Sequence, residues 1–218
     1  MPISDCEVRD PRIRRTRQLL HAALRKIMQA KHFDDISVQD ITDEATVNRA
    51  TFYDHYTDKF DLLDNMVRGD FHRMLADRKI CFDGTCLSAL SPIILATCDY
   101  LVQSGSAPEC SRQNSIEFRK EASLAGAIGS TLLNGIKANQ TTSPVTPELV
   151  ANIAAWAIFG AAKQWFYTPD RPPADTIVQP VLDFVSPILH TGKPTEPTLH
   201  QMDPIPEAAF QPTEPHTR

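Results

Sequence analysis

The sequence predicts an all-α fold, and three observations lead to this prediction. Apolar residues recur at helical spacing, as at Leu20, Leu24 and Ile27. Pairs of a capping residue and a proline, such as Asp10-Pro11, are typical of helix starts. No stretch alternates between apolar and polar residues for long enough to require a sheet. The chain of 218 residues can hold one medium or two small domains of this kind.

Four helices are predicted in the N-terminal third of the chain. Side chains suited to capping precede the first three, at Asp10, Ser37 and Asn48. Asp58 begins a long fourth helix, along which apolar residues form one stripe. The predicted ranges are 11–31, 38–45, 49–56 and 58–79.

The remaining chain is also predicted to be helical. The third of its helices is expected to break near Gly126 to Ser130. Pro180 and Pro187 each remove a backbone donor, so a kink or a break is expected in the last helix. From His190 onward frequent prolines predict an extended or disordered tail. The predicted helical ranges are 91–103, 109–139, 146–167 and 174–190.

Composition and cysteine usage narrow the class of protein. The longest apolar run, 149–162, is shorter than the roughly 18 residues that a transmembrane helix needs. The N-terminus has no apolar signal segment, so a cytoplasmic location is predicted. The five cysteines have no Cys-x-x-Cys spacing, so neither a disulfide framework nor a metal site is predicted, and no cofactor is expected. Cys81 and Cys86 are interpreted as ordinary small residues, with redox or metal sensing as the alternative.

Charge is distributed unevenly along the chain. The net charge is −5, yet residues 11–31 contain seven basic side chains and no acidic one. Residues 81–218 contain eight basic and thirteen acidic side chains. The N-terminal end can therefore face a phosphate backbone while the rest of the protein stays acidic. The alternative interpretation is that these basic residues form a solvated helix face that binds no phosphate.

Residues 37–56 predict two short helices that meet at a steep angle. Four apolar residues are spaced to form one small core, namely Ile41, Ala45, Val47 and Phe52. This core leaves the other face of the third helix free for donors, acceptors and flat rings, at Arg49, Thr51, Tyr53, His55 and Tyr56. Such a helix fits the major groove of B-DNA, where each base pair shows a distinct donor and acceptor pattern.

The side chains on this face suggest different contacts. Arg49 suits guanine, and Thr51 can place its methyl group on thymine or its hydroxyl on phosphate. Tyr53 and His55 are predicted to contact the DNA backbone. Lys59 lies in the first turn of the fourth helix, where a cation opposes the helix dipole. A phosphate contact would account for that placement, and a solvated lysine is the alternative.

The string Thr-Phe-Tyr-x-His-Tyr-x-x-Lys from Thr51 to Lys59, after an Ile-x-x-x-Ala helix, resembles the TetR family of transcriptional regulators. The resemblance also includes helix one and the start of the fourth helix. It implies a helix-turn-helix DNA-binding domain over 11–57 and a helical effector-binding and dimerisation domain over 58–191, followed by a tail over 192–218. Together with the free face, it predicts a DNA-binding set of Ser37, Gln39, Arg49, Thr51, Tyr53, His55, Tyr56 and Lys59.

Two residues depart from the family pattern. Thr46 stands in the turn where glycine is usual, and a β-branched residue at positive φ is strained by about 1–2 kcal/mol. Thr42 replaces an alanine in the second helix, and its hydroxyl is expected to bond a carbonyl one turn back. Both put the angle between the two short helices in question.

The resemblance further implies a small-molecule effector and a homodimer formed through the last two helices. A largely apolar effector pocket is expected among the central helices. Its candidate lining residues are Tyr100, Phe118, Trp156, Phe159 and Trp165. The alternative is that these aromatic residues fill the core or the dimer seam. The expected protein is a repressor that binds a palindromic operator as a dimer and is released by its effector.

Two other functions are weighed against this one. An enzyme is not predicted, because the sequence contains no GxSxG, P-loop, GxGxxG or HExxH motif. A family member that activates transcription, or whose DNA binding is vestigial or depends on a partner, is the second alternative. Thr46 and Thr42 are the residues that motivate it.

Overall fold

The computed structural model describes residues 10–84, 89–105, 114–138 and 145–189, and these residues form helices without any strand. The all-α prediction is therefore confirmed for the described part of the chain. The helices are α1 (Pro11–Ile27), α2 (Val38–Ala45), α3 (Arg49–Tyr53), α4 (Lys59–Asp77), α5 (Leu90–Ser104), α6 (Asn114–Ala138), α7 (Pro147–Tyr167) and α8 (Asp175–Leu189), with a short 3-10 turn at Phe33–Asp35. The predicted tail, 192–218, lies outside the described residues.

The caps predicted for the first three helices form, and Asp58 caps α4 rather than being its first residue. The Asp10 carboxylate accepts from the Arg12 amide, and the Asn48 side chain accepts from the Ala50 amide, in each case at 2.8 Å. Asp58 accepts from the amides of Phe60 and Asp61 in the first turn of α4. Each cap satisfies donors that have no partner inside the helix. The helix starts are therefore set by local chemistry.

The ends of α1 and α3 were predicted too late in the chain. α1 ends at Ile27 rather than at residue 31, because the next residues tighten into a turn in which the Ala30 amide donates to the Ile27 carbonyl. α3 ends at Tyr53 rather than at residue 56, and the His55 amide donates to the Phe52 carbonyl in the following turn. Bonds over three residues are common where a helix ends.

The turn between α2 and α3 has the left-handed conformation that its residue disfavours. Thr46 has φ 56° and ψ 42°, and its amide donates to the Asp43 carbonyl. The threonine costs about 1–2 kcal/mol relative to an unstrained residue. The Thr42 hydroxyl donates to the Gln39 carbonyl at 3.0 Å, so the predicted partner of that buried group is confirmed. Both departures are accommodated without changing the predicted range of α2.

α4 connects the three N-terminal helices to the rest of the fold. The Arg25 guanidinium of α1 donates to the Asp70 carboxylate of α4 at 2.6 Å. Further along the molecule, Asp64 of α4 accepts two bonds from Arg119 and one from Ser123, both in α6, at 2.6–3.0 Å. α4 is therefore joined to α1 and to α6 by directional polar contacts as well as by apolar packing.

α6 is one uninterrupted helix, so the break predicted near residues 126–130 was wrong. Leu124, Ile128 and Leu132 are buried along one side of it, and the Cβ position of Gly129 lies 3.5 Å from the Ala155 methyl group of α7. The burial of this apolar face outweighs the weak helix preference of glycine, which costs about 1 kcal/mol per residue.

α8 also continues through both of its prolines, and the predicted break is absent. Val181 and Val185 are buried against the fold, whereas Pro180 and Pro187 are exposed. Each proline removes one helical hydrogen bond on the exposed side and leaves the buried side intact. Among the described helices none is both long and apolar enough to cross a membrane.

Candidate DNA-binding surface

The exposed side of α3 carries an arginine and a tyrosine that support each other. Tyr53 is 48% exposed although it lies in a helix of the small N-terminal core. The Arg49 guanidinium lies 5.7 Å from the centroid of the Tyr53 ring and donates to its hydroxyl at 3.3 Å. This contact aligns two long side chains before any DNA is bound, which lowers the conformational entropy lost on binding. Thr51 is half-buried beside them.

Apolar packing on the opposite side of α3 holds the helix in place. Phe52 is fully buried with Leu24 and Ile41 in the core of the N-terminal helices. Its ring meets the ring of Tyr53 edge to face at 5.4 Å. The small core predicted from the sequence therefore forms, and it turns the side chain of Tyr53 outward.

Tyr56 does not lie on the exposed face, and its predicted DNA contact was wrong. It is only 3% exposed, and its hydroxyl and the Nε2 atom of the buried His21 are 2.9 Å apart. The helix ends three residues earlier, so the periodicity used to place Tyr56 no longer applies there. Its contacts with His21 and Phe52 make it a packing residue.

His55 lies between this core and the basic start of α1. The Arg17 guanidinium is 5.9 Å from the centroid of the Tyr56 ring, so this part of α1 lies beside the residues that follow α3. Burial lowers the pKa of His55 from its ordinary value of 6.5, and the charge of Arg17 lowers it further. His55 is therefore neutral at physiological pH and offers a single N–H donor.

Arginines at the start of α1 extend the same surface. Arg12, Arg14 and Arg15 are exposed, and none of them has an ion-pair partner within the described part of the chain. Their charges remain available to a polyanion, as the uneven charge distribution predicts.

Ser37 and Gln39 are exposed, but their side chains are engaged in local bonds. Ser37 and Asp40 form a reciprocal capping box, and the backbone amide and hydroxyl of Ser37 lower the pKa of Asp40 to about 2. The Gln39 amide donates to Asp43 at 2.6 Å. Contact of either side chain with DNA remains a prediction, and it would require these exposed bonds to exchange.

Lys59 has a structural role that the sequence did not reveal. Its ammonium group donates to the carbonyl oxygens of Phe33, Asp34 and Ile36 at 2.8–2.9 Å and lies 4.9 Å from the centroid of the Phe33 ring. All three of its donors are thus used inside the protein. The phosphate contact predicted for Lys59 remains a prediction. No local sequence signal indicates these bonds, because the carbonyl groups lie more than twenty residues earlier in the chain.

A separate cavity of about 800 Å³ lies between the end of α1 and the helices α4 to α7. Two of the predicted pocket residues, Tyr100 and Phe159, line it. The Tyr100 ring meets Phe71 edge to face at 6.0 Å, and burial raises the pKa of its hydroxyl well above the ordinary value. This hydroxyl stays protonated and can act as a hydrogen-bond donor within the cavity.

The other three predicted pocket residues do not line this cavity. Phe118 is 68% exposed on α6, and Trp156 is exposed on α7. Trp165 is buried, but its indole N–H donates to the Pro172 carbonyl at 2.7 Å and the Arg171 guanidinium covers its ring. Aromatic residue type alone did not distinguish a cavity wall from the surface or from loop packing.

The wall of the cavity is more charged than the apolar pocket that was predicted. Acidic and basic side chains both line it, namely Arg25, Arg73, Lys120, Lys163, Asp70, Glu117 and Glu121. In the sequence these residues look like ordinary charged residues of a helix surface. They line one cavity only because the helices pack together.

α2 and α3 are capped short helices that meet at a tight turn, and α3 presents a polar face. This arrangement is the helix-turn-helix motif of DNA-binding proteins. Residues 19–66 match the family described as bacterial regulatory proteins, tetR family. The chain is 40% identical over 60 residues to the uncharacterized HTH-type transcriptional regulator YxbF of Bacillus subtilis (strain 168). That match covers 27% of this chain and only 16% of the length of YxbF.

Solved structures resemble a larger part of the chain at lower identity. A TetR transcriptional regulator from Streptococcus agalactiae is 20% identical with a TM-score of 0.43, and the match covers 83% of this chain and 98% of that one. RolR in complex with resorcinol is 15% identical with a TM-score of 0.46, and the match covers 84% of this chain and 95% of that one. Residues 19–66 are therefore similar to the N-terminal region of the TetR family of transcriptional regulators, the family that the sequence resembles.

Proposed function

We propose that the protein is a repressor that binds a palindromic operator as a homodimer and leaves it when a small molecule binds. Residues 11–57 read the DNA, and residues 58–191 bind the effector and form the dimer. The observation that carries this proposal is the preformed pair of Arg49 and Tyr53 on the exposed side of α3. An exposed polar helix face, held by a buried core on its other side, is what major-groove recognition requires.

The effector role is supported by the position of the cavity. Its wall includes Arg25 of α1 and the next residues Met28 and Gln29, and it continues along α4 to α7. A molecule bound there touches both the end of α1, which belongs to the proposed DNA-binding region, and the larger helical region. Two DNA-bound reading helices must lie about 34–36 Å apart, so a ligand that favours another spacing weakens DNA binding by linkage.

The dimer is supported by an exposed apolar face on α7 and α8. Leu149, Ile153 and Trp156 are spaced at three and four residues on α7, and all are exposed. Phe184 of α8 is 78% exposed. A second copy of the same face would cover these side chains in an isologous interface.

Replacing Arg49 or Tyr53 by alanine is expected to weaken binding to the DNA flanking the gene about 10- to 100-fold, which corresponds to about 1.4–2.8 kcal/mol. The wild type should bind tightly, and its affinity should fall steeply between two salt concentrations because phosphate contacts release counterions. Fluorescence anisotropy with labelled duplexes measures both effects.

Phe118→Ala is the control for Tyr53→Ala, since Phe118 is an exposed aromatic residue of α6 that does not line the cavity. It should retain wild-type DNA affinity. The repressor proposal fails if the wild type does not bind the flanking DNA specifically and a random-pool selection yields no preferred sequence either. The helix-turn-helix would then be vestigial or dependent on a partner. Increased transcription from a bound promoter would instead identify an activator.

Phe184→Glu is expected to raise the dimer dissociation constant at least about 100-fold, because a carboxylate would lose its hydration in an apolar interface. Phe118→Glu places the same charge at a similarly exposed phenylalanine of α6, outside the face formed by α7 and α8. It should leave association unchanged. Sedimentation equilibrium measures both constants, and a wild-type monomer, or equal effects of the two substitutions, would contradict the proposed interface.

A further inference from the structure

We propose that the cavity beside α1 binds an uncharged aromatic molecule that carries a hydroxyl or amide group. This inference rests on the effector role proposed above and specifies the chemical class of the effector. The volume of about 800 Å³ lies within the range of small-molecule sites. The charges, the aromatic rings and the polar groups of the wall define the class of ligand.

Every cation in the wall already has a carboxylate partner. The ion pairs are Arg25–Asp70 at 2.6 Å, Arg73–Asp70 at 3.4 Å, Arg78–Asp99 at 2.7 Å, Lys120–Glu117 at 2.7 Å and Lys163–Glu121 at 2.7 Å. A charged ligand loses hydration on entering a cavity, and only an unpaired opposite charge can offset that loss. An anionic ligand would therefore have to break an existing ion pair.

A cationic ligand meets a similar obstacle. Asp77 is the one carboxylate of the wall for which the described part of the chain supplies no ion-pair partner. It is exposed at the end of α4, and an exposed carboxylate attracts a cation only weakly through water. The wall as a whole therefore favours a ligand without net charge.

The uncharged part of the wall suits an aromatic ring. Phe159, Phe166 and Tyr167 of α7 face the cavity together with Met66 and other apolar side chains. Aromatic rings and methionine sulfur bind flat apolar groups favourably.

The polar groups in the wall suit one hydrogen-bonding substituent on such a ring. The Tyr100 hydroxyl has no hydrogen-bond partner among the described residues, and Gln29 and Gln103 also offer unpaired amide groups. A hydroxyl or amide on the ligand can exchange bonds with these groups.

The same cavity gives the ligand a direct contact with the DNA-binding domain. Arg25 belongs to α1, and its ion pair with Asp70 of α4 forms part of the wall. Occupation of the cavity therefore acts at the junction of α1 with α4, next to the helices that read DNA.

Three naphthalene compounds that differ in charge test this inference: naphthol, naphthoate and naphthylmethylammonium. Each is titrated into the full chain at neutral pH without DNA, and binding is measured by the fluorescence of the compound. Naphthol should bind at least about ten-fold more tightly than either ion. If either ion binds as tightly as naphthol, or if naphthol does not bind, the inference is overturned.

Two substitutions test the reasons separately. Asp70→Asn leaves Arg25 and Arg73 without their carboxylate, so the affinity for naphthoate relative to naphthol should rise about ten-fold. Tyr100→Phe should weaken naphthol binding about three- to ten-fold by removing one hydrogen bond. Phe118→Ala, on α6 but outside the cavity, should change neither affinity.

Circular dichroism and thermal unfolding establish that each variant is folded before it is titrated. An unchanged preference for naphthol in a folded Asp70→Asn variant would overturn the charge argument. These titrations contain no DNA, so a negative result would not contradict the DNA-binding proposal. In the same way, a protein that fails to bind DNA could still be tested for ligand binding.

Discussion

Lys59→Met is expected to lower the free energy of unfolding by about 2–4 kcal/mol. The substitution removes three charge-assisted hydrogen bonds and leaves the carbonyl groups of Phe33, Asp34 and Ile36 without their donor. Methionine retains most of the aliphatic length, so lost packing contributes little. Urea denaturation monitored by circular dichroism measures the difference.

Lys26→Met is the matched control for this measurement. Lys26 is an exposed lysine of α1 whose single ion pair, with Glu44, is at the surface. Its replacement should cost less than about 1 kcal/mol. Equal effects of the two substitutions would show that the three carbonyl bonds contribute no stability beyond a surface pair.

The DNA affinity of the Lys59 variant separates its structural role from a phosphate contact. The loop that Lys59 holds leads directly into Ser37 and α2, so looser anchoring weakens DNA binding by a factor that is nearly independent of salt. Loss of a phosphate contact would instead reduce the slope of log affinity against log salt by about 1. We expect the first result, because the ammonium group has no remaining donor.

Gly135→Ala is expected to destabilise the protein by about 2–4 kcal/mol. A Cβ atom at this position would lie 2.6 Å from the Phe82 carbonyl oxygen and 2.9 Å from the Gly84 amide nitrogen, and it would also overlap the Phe82 ring. Backbone atoms cannot yield as a flexible side chain can. The clash therefore exceeds the roughly 1 kcal/mol that alanine gains over glycine within a helix.

Gly126→Ala, in the same helix, provides the comparison. Its nearest neighbour would be the Arg68 guanidinium at 3.5 Å, which is an ordinary contact with a flexible side chain. This substitution should therefore stabilise the protein by about 0.5–1 kcal/mol. In thermal unfolding, Gly135→Ala should lower the melting temperature and Gly126→Ala should raise it. A stabilising Gly135→Ala would refute the close approach of α6 to residues 82–84.

The sequence was most informative where structure depends on neighbouring residues. Ser37, Asn48 and Asp58 each bond amides two or three residues later, and the caps predicted at Ser37 and Asn48 form. The αL turn at Thr46 and the carbonyl bond of the Thr42 hydroxyl are local in the same way. Such features need no knowledge of the fold.

Features that depend on distant residues could not be predicted. Tyr56 was placed by helical periodicity, but His21 and Phe52 bury it once the helices assemble. The cation at Lys59 suggested an external anion, whereas its partners are carbonyl groups far earlier in the chain. Phe118 and Phe159 are the same residue type, and only the packing of α6 against α7 exposes one and turns the other into the cavity.

The two prolines of α8 affect more than the helix that contains them. Because proline has no amide hydrogen, the carbonyl groups of Thr176 and Asp183 receive no helical bond from Pro180 and Pro187. These carbonyl groups are seven residues apart, which is about 10.5 Å along one side of the helix. Apolar surfaces alone let two helices slide past each other, but a pair of acceptors at a fixed spacing favours one alignment. We expect a helix that packs on this side of α8 to prefer the register that places its side-chain donors opposite these two carbonyl groups.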